Sequence, residues 1–156
     1  MKPRVYVETT IISYLAARPT RDIIVRAHQA LTRRWWRQRG RFEIFASPLV
    51  VEEAGRGDIV ARSKRRRLLR ELPLLEINDD SRVVGRKLLA KRSLPAQAEG
   101  DALHIAVAAV HGMEYLVTWN CRHIANAAMR LHIEEVIRDL GYEPPVLCTP
   151  EELLQE

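Results

Sequence analysis

The chain of 156 residues is poor in cysteine and has no long apolar runs. Its two cysteines, Cys121 and Cys148, lie far apart in the sequence and form no CxxC pair. This predicts two free thiols and argues against a disulfide framework or a structural zinc site. No apolar stretch approaches the roughly 20 residues that a membrane helix needs, so we expect no contact with a membrane.

Signals for export and for nucleotide loops are also missing. The first four residues lead directly into a strand-like segment, without the apolar core and small-residue cleavage site of a secretory leader. Together with the free thiols, this predicts a cytoplasmic protein. The sequence has no glycine-rich phosphate loop and no obvious nucleophile motif, which argues against a phosphatase or a related phosphate-handling α/β enzyme.

Positive charge is what the chain has in excess. The formal net charge is +5 and the sequence pI is about 9.6. Such an excess favours contact with a polyanion, and nucleic acid is the obvious candidate.

Two kinds of apolar periodicity alternate along the sequence. Short β-branched and aromatic runs predict strands, and apolar residues spaced three to four apart predict helices. Predicted strands span residues 5–7, 42–46, 74–77, 115–118 and 146–148. Predicted helices begin near Asp22 (capped by Thr20), Pro48, Asp58, Ser81, Pro95, His123 and Pro150.

The alternation of strands and helices predicts an α/β sandwich with a mainly parallel central sheet. The sequence has no internal repeat and no linker rich in glycine and serine, so we expect one domain over residues 1–156. In the predicted helix that begins near Asp22, Trp35 continues the apolar stripe of Ile24, Ala27 and Leu31 and is expected in the core.

Acidic and polar residues follow the predicted strands. In an open parallel sheet, ligands bind outside the carboxyl ends of the strands. Glu8 comes directly after the first strand and Asn120 shortly after the fourth. Glu53 lies in the helix after the second strand, and Asp101 lies in the long helix before the fourth. If these side chains converge, they form one polar cluster at that edge.

A converging cluster of acids requires a counter-charge. Two carboxylates about 5 Å apart repel by roughly 3 kcal/mol at an effective dielectric of about 20. Oxygen ligands select a hard ion, Mg²⁺ or Mn²⁺, which also activates water for attack on a phosphodiester. Spacing alone leaves two other readings open: each acid is part of a surface ion pair or a helix cap, and Glu52 competes with Glu53.

Four blocks of the sequence carry a family resemblance. They are VYVETT at residues 5–10, SPLVVEE at residues 47–53, GDALHIA at residues 100–106 and LVTWN at residues 116–120. In this order the chain resembles the PIN domain family and, within it, the VapC-type toxins. The third and fourth blocks are the most specific part of the resemblance.

The resemblance implies a fold and an activity. Such domains are Rossmann-like three-layer α/β/α sandwiches, whose acidic cluster binds Mg²⁺ or Mn²⁺ to cut RNA. It implies a ribonuclease that is the toxin of a toxin–antitoxin pair, with RNA and a protein antitoxin as partners and a homodimer as the assembly. The implied metal ligands are Glu8, Glu53 and Asp101, and the implied catalytic set adds Asn120 to these three. Thr9, Thr118 and His104 are expected to support them.

The sequence departs from the family pattern at two positions. The first acid is normally Asp and here is Glu8, whose extra methylene moves the carboxylate by roughly 1.5 Å. The fourth acid is commonly Asp and here is Asn120, which keeps an oxygen but loses the charge. We therefore expect one well-held metal ion. The alternative is a non-catalytic PIN-like module with a degenerate metal site, which binds RNA or a partner protein.

Two arginine-dense stretches, residues 33–41 and 62–70, have three interpretations. They are solvated helix faces, a phosphate track leading to the acids, or a surface for an acidic antitoxin segment. The residues expected to contact nucleic acid are Trp36, Arg37 and Arg122. We find no partner in the sequence for His28, His111, His123 or His132.

Overall fold

The computed structural model describes residues 1–155, in which four parallel strands form one central sheet. The strand order is β2-β1-β3-β4. The register pairs Val5 with Ile44 of β2 and with Tyr115 of β3. The prediction of a mainly parallel central sheet is confirmed. The strands are β1 (Arg4–Val7), β2 (Glu43–Phe45), β3 (Tyr115–Val117) and β4 (Val146–Cys148).

The helices divide into two packed groups. Helices α1 to α4 contact one another, and α5 contacts both α6 and α7. The chain steps from β1 to β2 in one direction across the sheet, and then to β3 and β4 in the opposite direction. Because crossovers between parallel strands are right-handed, these opposite steps place helices on opposite faces of the sheet. The helices are α1 (Thr9–Ala16), α2 (Ile23–Arg37), α3 (Pro48–Ala54), α4 (Ile59–Leu69), α5 (Asp79–Ala90), α6 (Glu99–Val110) and α7 (Ala127–Asp139).

Covering on both faces explains the composition of the central strands. Val5, Tyr6 and Val7 of β1 are fully buried, as expected for a parallel strand with helices on both sides. Trp35 is also fully buried, which confirms its prediction as a core residue. No helix in residues 1–155 has the length and apolar character needed to cross a membrane. Both cysteines are free thiols, as predicted.

One predicted strand is wrong. Residues 74–77 form only an isolated parallel bridge, between Leu74 and Ala46, beside the edge strand β2. Ala46 N donates to Pro73 O and Leu75 N donates to Ala46 O, after which the chain leaves the sheet. Asn78 ends the extended segment because its side chain already accepts a hydrogen bond from Ser81 N and caps α5.

Several predicted helix ends differ from the structure because a different residue provides the cap. Asp22, and not Thr20, caps α2 through a bond from Val25 N. Helix α7 begins after Asn126 instead of at His123, since the Asn126 side chain accepts from Ala128 N. Residues 95–98 form a turn before α6, in which Ala98 N donates to Pro95 O. The last predicted helix is a 3₁₀ turn, Pro150–Leu153, with the expected capping box.

Candidate functional site

Polar side chains from separate parts of the chain meet at the carboxyl ends of β1 and β3. Glu8 follows β1, and Glu8 N donates a hydrogen bond to Val117 O at the end of β3. Asp101 lies in the first turn of α6, and this helix leads back through a short turn to the amino end of β3. The topology therefore brings the first turn of α6 to the edge where Glu8 and Asn120 lie.

The Glu8 carboxylate is buried and bonded on both oxygens. Glu8 is 5% exposed and is the N-cap of α1, with Oε1 accepting from Thr10 N at 3.0 Å. Its Oε2 accepts from Thr10 Oγ1 at 2.7 Å and from Thr118 Oγ1 at 2.6 Å. The extra methylene of Glu relative to Asp thus lets this side chain curl back onto its own helix terminus.

A hydrogen-bonded chain leads from Glu8 to Asp101. The Thr118 hydroxyl, which donates to Glu8, accepts from Asn120 N at 2.9 Å. Asn120 Nδ2 in turn donates to Asp101 Oδ1 at 2.9 Å. Thr118 and Asn120, the two predicted site residues after β3, therefore each contact a predicted acid. Thr118 bonds to Glu8, and Asn120 bonds to Asp101.

His123 is the site residue that sequence reasoning missed. Its Nδ1–H donates to Asp101 Oδ2 at 2.7 Å, and its backbone N donates to Asn120 Oδ1 at 3.0 Å. The three-residue spacing from Asn120 to His123 is that of an N-cap bond, which is the local signal that places His123 here. The bonds from Asn120 and His123 together fix the orientation of the Asp101 carboxylate.

Glu53, and not Glu52, faces the cluster. Glu53 Oε1 accepts from Thr9 Oγ1 and from His104 Nε2, both at 2.6 Å. A Cβ placed on Gly100 would lie 3.7 Å from Glu53 Oε2, so this oxygen lies beside the first turn of α6. Glu52 is exposed and pairs with Arg56 at 3.0 Å. The alternative that the sequence left open is thus decided by the geometry.

Behind Glu53 lies a buried polar relay. The Tyr6 hydroxyl is 2.6 Å from His104 Nδ1 and 2.7 Å from Ser47 Oγ. Burial raises the pKa of Tyr6 far above its usual value, so the phenol stays protonated and bridges His104 Nδ1 and Ser47 Oγ. Because an ionised carboxylate only accepts hydrogen bonds, His104 Nε2–H donates to Glu53. His104 is 1% exposed and orients Glu53 from inside the core.

The hydrogen bonds also set the charge state of Glu53. Partial burial by itself raises the pKa of this carboxyl, but the bonds from His104 and Thr9 and the positive charge of Arg56 outweigh it. The pKa of Glu53 therefore lies below its usual range. Glu53 is an anion at neutral pH.

The donor set fits a weakly enclosed hard ion better than a closed cage. In residues 1–155, no group of three or more His, Cys, Asp or Glu side chains is arranged to hold a metal ion. Mg²⁺ commonly binds through one or two carboxylates and keeps several waters. Glu53 and Asp101, whose side chains are 28% and 24% exposed, offer that arrangement. Glu8 is only 5% exposed, so its oxygens are less accessible to an ion from solvent than those of Glu53 and Asp101.

The residues predicted to contact nucleic acid divide between two places. Arg122 is exposed and lies between Asn120 and His123. Trp36 and Arg37 end α2, which leads through a 3₁₀ turn to the amino end of β2. The Trp36 ring packs against Arg39. The structure therefore brings Arg122 to the acids, but it does not bring Trp36 and Arg37 there.

Comparison with known proteins identifies the class of this chain. A family profile described as PIN domain matches residues 5–128. This range covers most of the chain and includes all of the site residues named above, so the protein belongs to the PIN domain family. PIN domains are typically nucleases and generally use divalent metal ions. Neither the curated proteins nor the solved structures include a significant match to the chain.

Proposed function

We propose that this protein is a metal-dependent endoribonuclease that hydrolyses RNA phosphodiesters and acts as the toxin of a toxin–antitoxin pair. The observation that carries the proposal is the bonded series Glu8–Thr118–Asn120–Asp101 at the carboxyl edge of the sheet in a PIN domain. Glu53 lies beside the same turn of α6. The formal net charge of +5 favours an anionic polymer as substrate.

In this proposal Glu53 and Asp101 hold one Mg²⁺ or Mn²⁺ ion. When bound there, such an ion would supply an activated water molecule and stabilise the negative charge of the phosphate. Asn120 and His123 orient Asp101, while Thr9 and His104 orient Glu53. Glu8 fixes the strand ends through Thr118 and adds negative charge to the site.

The test of catalysis is cleavage of single-stranded RNA by the purified protein. We expect cleavage with Mg²⁺ or Mn²⁺ and none with EDTA. Asp101→Asn and Glu53→Gln each lower the rate by at least about 100-fold, because each removes a ligand charge. Glu52→Gln is the matched control and retains the rate, since Glu52 points away to Arg56. Equal cleavage by Asp101→Asn and the unmodified protein would remove the acids from the mechanism.

A second candidate is a PIN-like module without catalysis that binds RNA or a protein. The observation that favours it is the Glu8 carboxylate, which the chain itself occupies through Thr10 and Thr118. Calorimetric titration with Mn²⁺ separates the two candidates. Uptake of one ion that Asp101→Asn abolishes, together with RNA turnover, supports the nuclease; RNA binding without either supports the module.

The toxin role has its own test. Controlled expression in a bacterial host should arrest growth, and Asp101→Asn should relieve the arrest. We propose that a protein antitoxin blocks the site with a helix or with a basic side chain placed among the acids. A small DNA-binding protein encoded next to this chain should restore growth when it is co-expressed. Growth unaffected by the unmodified protein contradicts the toxin role but leaves the nuclease activity to the assay above.

The proposed assembly is a homodimer in the cytoplasm. Sedimentation of the purified protein over a range of concentrations measures its mass directly. A mass twice the 18.0 kDa of the chain supports the dimer, and a constant mass of one chain contradicts it.

A further inference from the structure

A cleft lies at the end of α1 that is farther from the acids. It has a volume of about 400 Å³ between the end of α1 and the middle of α4. Its charged lining is Arg18, Lys64 and Arg67, and Leu15 and Leu68 contribute apolar surface. A second cavity of about 390 Å³ shares Arg18 and Lys64 with the first and extends it towards the start of α4. The two form one continuous concave surface, the α1–α4 cleft.

The cations of the α1–α4 cleft are not neutralised by the chain. Over the described residues 1–155, Arg18, Lys64 and Arg67 take part in no ion pair and their side chains donate no hydrogen bond. Asp58 lines the second cavity, but its carboxylate caps α4 by accepting from Ala61 N. Helix α4 itself carries only basic charges, at Arg62, Lys64 and Arg65–Arg67. The cleft therefore has a positive potential that attracts an anion.

The cleft and the acids share the same structural elements. Glu8 caps the first turn of α1, and the cleft lies at the last turn of this 8-residue helix. At about 1.5 Å per residue, the two sites are about 12 Å apart along α1. Helix α4 is also fixed to the segment after Glu53, because Arg65 Nε donates to Ala54 O at 2.9 Å. The distance between the cleft and the acids is therefore set by packed helices.

We propose that the α1–α4 cleft binds a backbone phosphate of single-stranded RNA at a distance from the bond that is cut. The inference rests on the proposed function, since it takes RNA as the substrate. About 12 Å is roughly three to four nucleotides of a stacked strand at about 3.4 Å each. Arg18, Lys64 and Arg67 surround the phosphate, and the apolar lining at Leu15 and Leu68 contacts the sugar or base beside it.

RNA fits these observations better than an acidic protein segment does. The cations lie on exposed helix surface about 12 Å from the start of α1, a distance of a few nucleotides. A single strand presents one phosphate per nucleotide, so any strand long enough to span this distance has a phosphate at the cleft. The cleft therefore acts as a positioning site. The affinity for RNA increases with the length of the strand until the strand reaches the cleft.

The experiment measures binding of a fluorescein-labelled 12-nucleotide single-stranded RNA by anisotropy, in EDTA and over a range of salt concentrations. The cleft variant is Lys64→Gln with Arg67→Gln. The matched control is Lys87→Gln with Lys91→Gln; Lys87 lies in α5 and Lys91 directly follows it, and both line a different cavity. All four residues are exposed, so both variants should keep the melting temperature of the unmodified protein.

We expect the cleft variant to bind the 12-mer roughly tenfold more weakly, and its salt slope to fall by about 0.7 for each lost phosphate contact. The control variant should change affinity by less than about twofold, since it changes the net charge equally but not the cleft. The exchange variant, Lys64→Arg with Arg67→Lys, should restore binding because it keeps both charges. A dinucleotide is too short to reach the cleft and should bind the cleft variant and the unmodified protein equally.

Equal weakening by the cleft and control variants would overturn the proposal, since only net charge would then matter. Unchanged RNA binding by the cleft variant would also overturn the proposal. If that variant instead loses binding of a polyglutamate peptide, the cleft is assigned to an acidic protein segment. Because the assay contains no metal and measures no turnover, its result is independent of the cleavage test. A protein that binds the 12-mer as expected but never cuts RNA overturns the proposed nuclease and leaves the cleft as an RNA-binding site.

Discussion

At the carboxyl ends of the strands, carboxylates accept hydrogen bonds from hydroxyl, amide and imidazole groups, whereas at the amino end of β2 guanidinium groups lie over aromatic rings. Arg41 lies 4.9 Å from the Phe42 ring centre and Arg39 lies 5.0 Å from the Trp36 ring. Each of these arginines lies over one ring, whereas Glu8 and Glu53 each accept several hydrogen bonds.

The comparison separates stability from function. An exposed cation–π contact contributes about 0.5–1 kcal/mol, and the Trp35 side chain beneath these contacts is fully buried. A hydrogen bond to a charged group contributes about 1.5–3 kcal/mol, but it also fixes the direction of a carboxylate. The amino edge therefore acts on the stability of the fold alone, whereas the bonds at the carboxyl edge both stabilise the fold and fix the directions of the carboxylates.

The largest expected effect is a loss of stability at the amino edge. Trp35→Ala should lower the free energy of unfolding by about 3–5 kcal/mol, because it leaves a cavity in the core beside Phe42. Urea unfolding followed by circular dichroism measures this. Trp35→Phe should cost less, since Trp35 Nε1 is buried without a hydrogen-bond partner in residues 1–155. Equal losses for the two variants would contradict this account.

The next effect concerns catalysis at the carboxyl edge. His123→Phe should lower RNA cleavage about 10- to 100-fold, because Asp101 loses the donor that holds its Oδ2. Its affinity for Mn²⁺ should fall in the same experiment, whereas the free energy of unfolding should change little, since His123 is partly exposed. His132→Phe is the control, because within residues 1–155 His132 bonds to Lys91 O and lies near Glu135, and to none of the site acids. A large loss of stability in His123→Phe would assign it a structural role instead.

A smaller effect is expected from the hydroxyl between the two acids. Thr118→Val should cost about 1–3 kcal/mol of unfolding free energy, because Glu8 loses a donor and Asn120 N loses its acceptor in a buried place. Thr118→Ser keeps the hydroxyl and should cost less than the valine variant. If both variants are equally stable, the hydrogen bonds of Thr118 contribute nothing to the fold.

The smallest effect is a pH dependence in the metal-free protein. The folded pKa of Glu53 lies below its unfolded value, so its contribution to stability is present above the usual Glu pKa of about 4.3 and is lost as the pH falls through the folded value. The stability difference between the unmodified protein and Glu53→Gln should therefore shrink on acidification. Urea midpoints measured from pH 7 to pH 3 test this, with Glu52→Gln as control. A difference that grows towards acid pH would give Glu53 the opposite shift.

Local patterns predicted most of the elements but not all of their boundaries. The buried run of β1 and the Ser47-Pro48 start of α3 are local signals, and both were predicted correctly. The prediction of a strand at residues 74–77 was wrong. The apolar pattern of this segment does not reveal whether β2 forms a continuous ladder of hydrogen bonds with it. The start of α7 was missed because Asn126 and His123 are both followed by helix-forming residues, and only the cap geometry separates them.

The candidate site shows the same division. Glu8, Glu53, Asp101 and Asn120 were predicted by their positions relative to strands and by the family blocks. The structure joins Glu8, Asn120 and Asp101 through hydrogen bonds and places Glu53 beside Gly100. Their roles as ligands stay predictions. His123 and the Tyr6–His104 relay were not predicted, because their partners lie 22 and 98 residues away in the sequence.

The amino-acid sequence by itself determined the alternation of strands and helices, the excess of positive charge and the order of the acidic residues, because each of these is a property of neighbouring residues or of composition. Only the tertiary structure decided that Glu53 rather than Glu52 lies beside the first turn of α6, that Glu8 is bonded to the chain on both oxygens, and that Trp36 lies away from the acids. These outcomes depend on distances between remote segments, which packing of helices against the sheet fixes and which no local pattern contains.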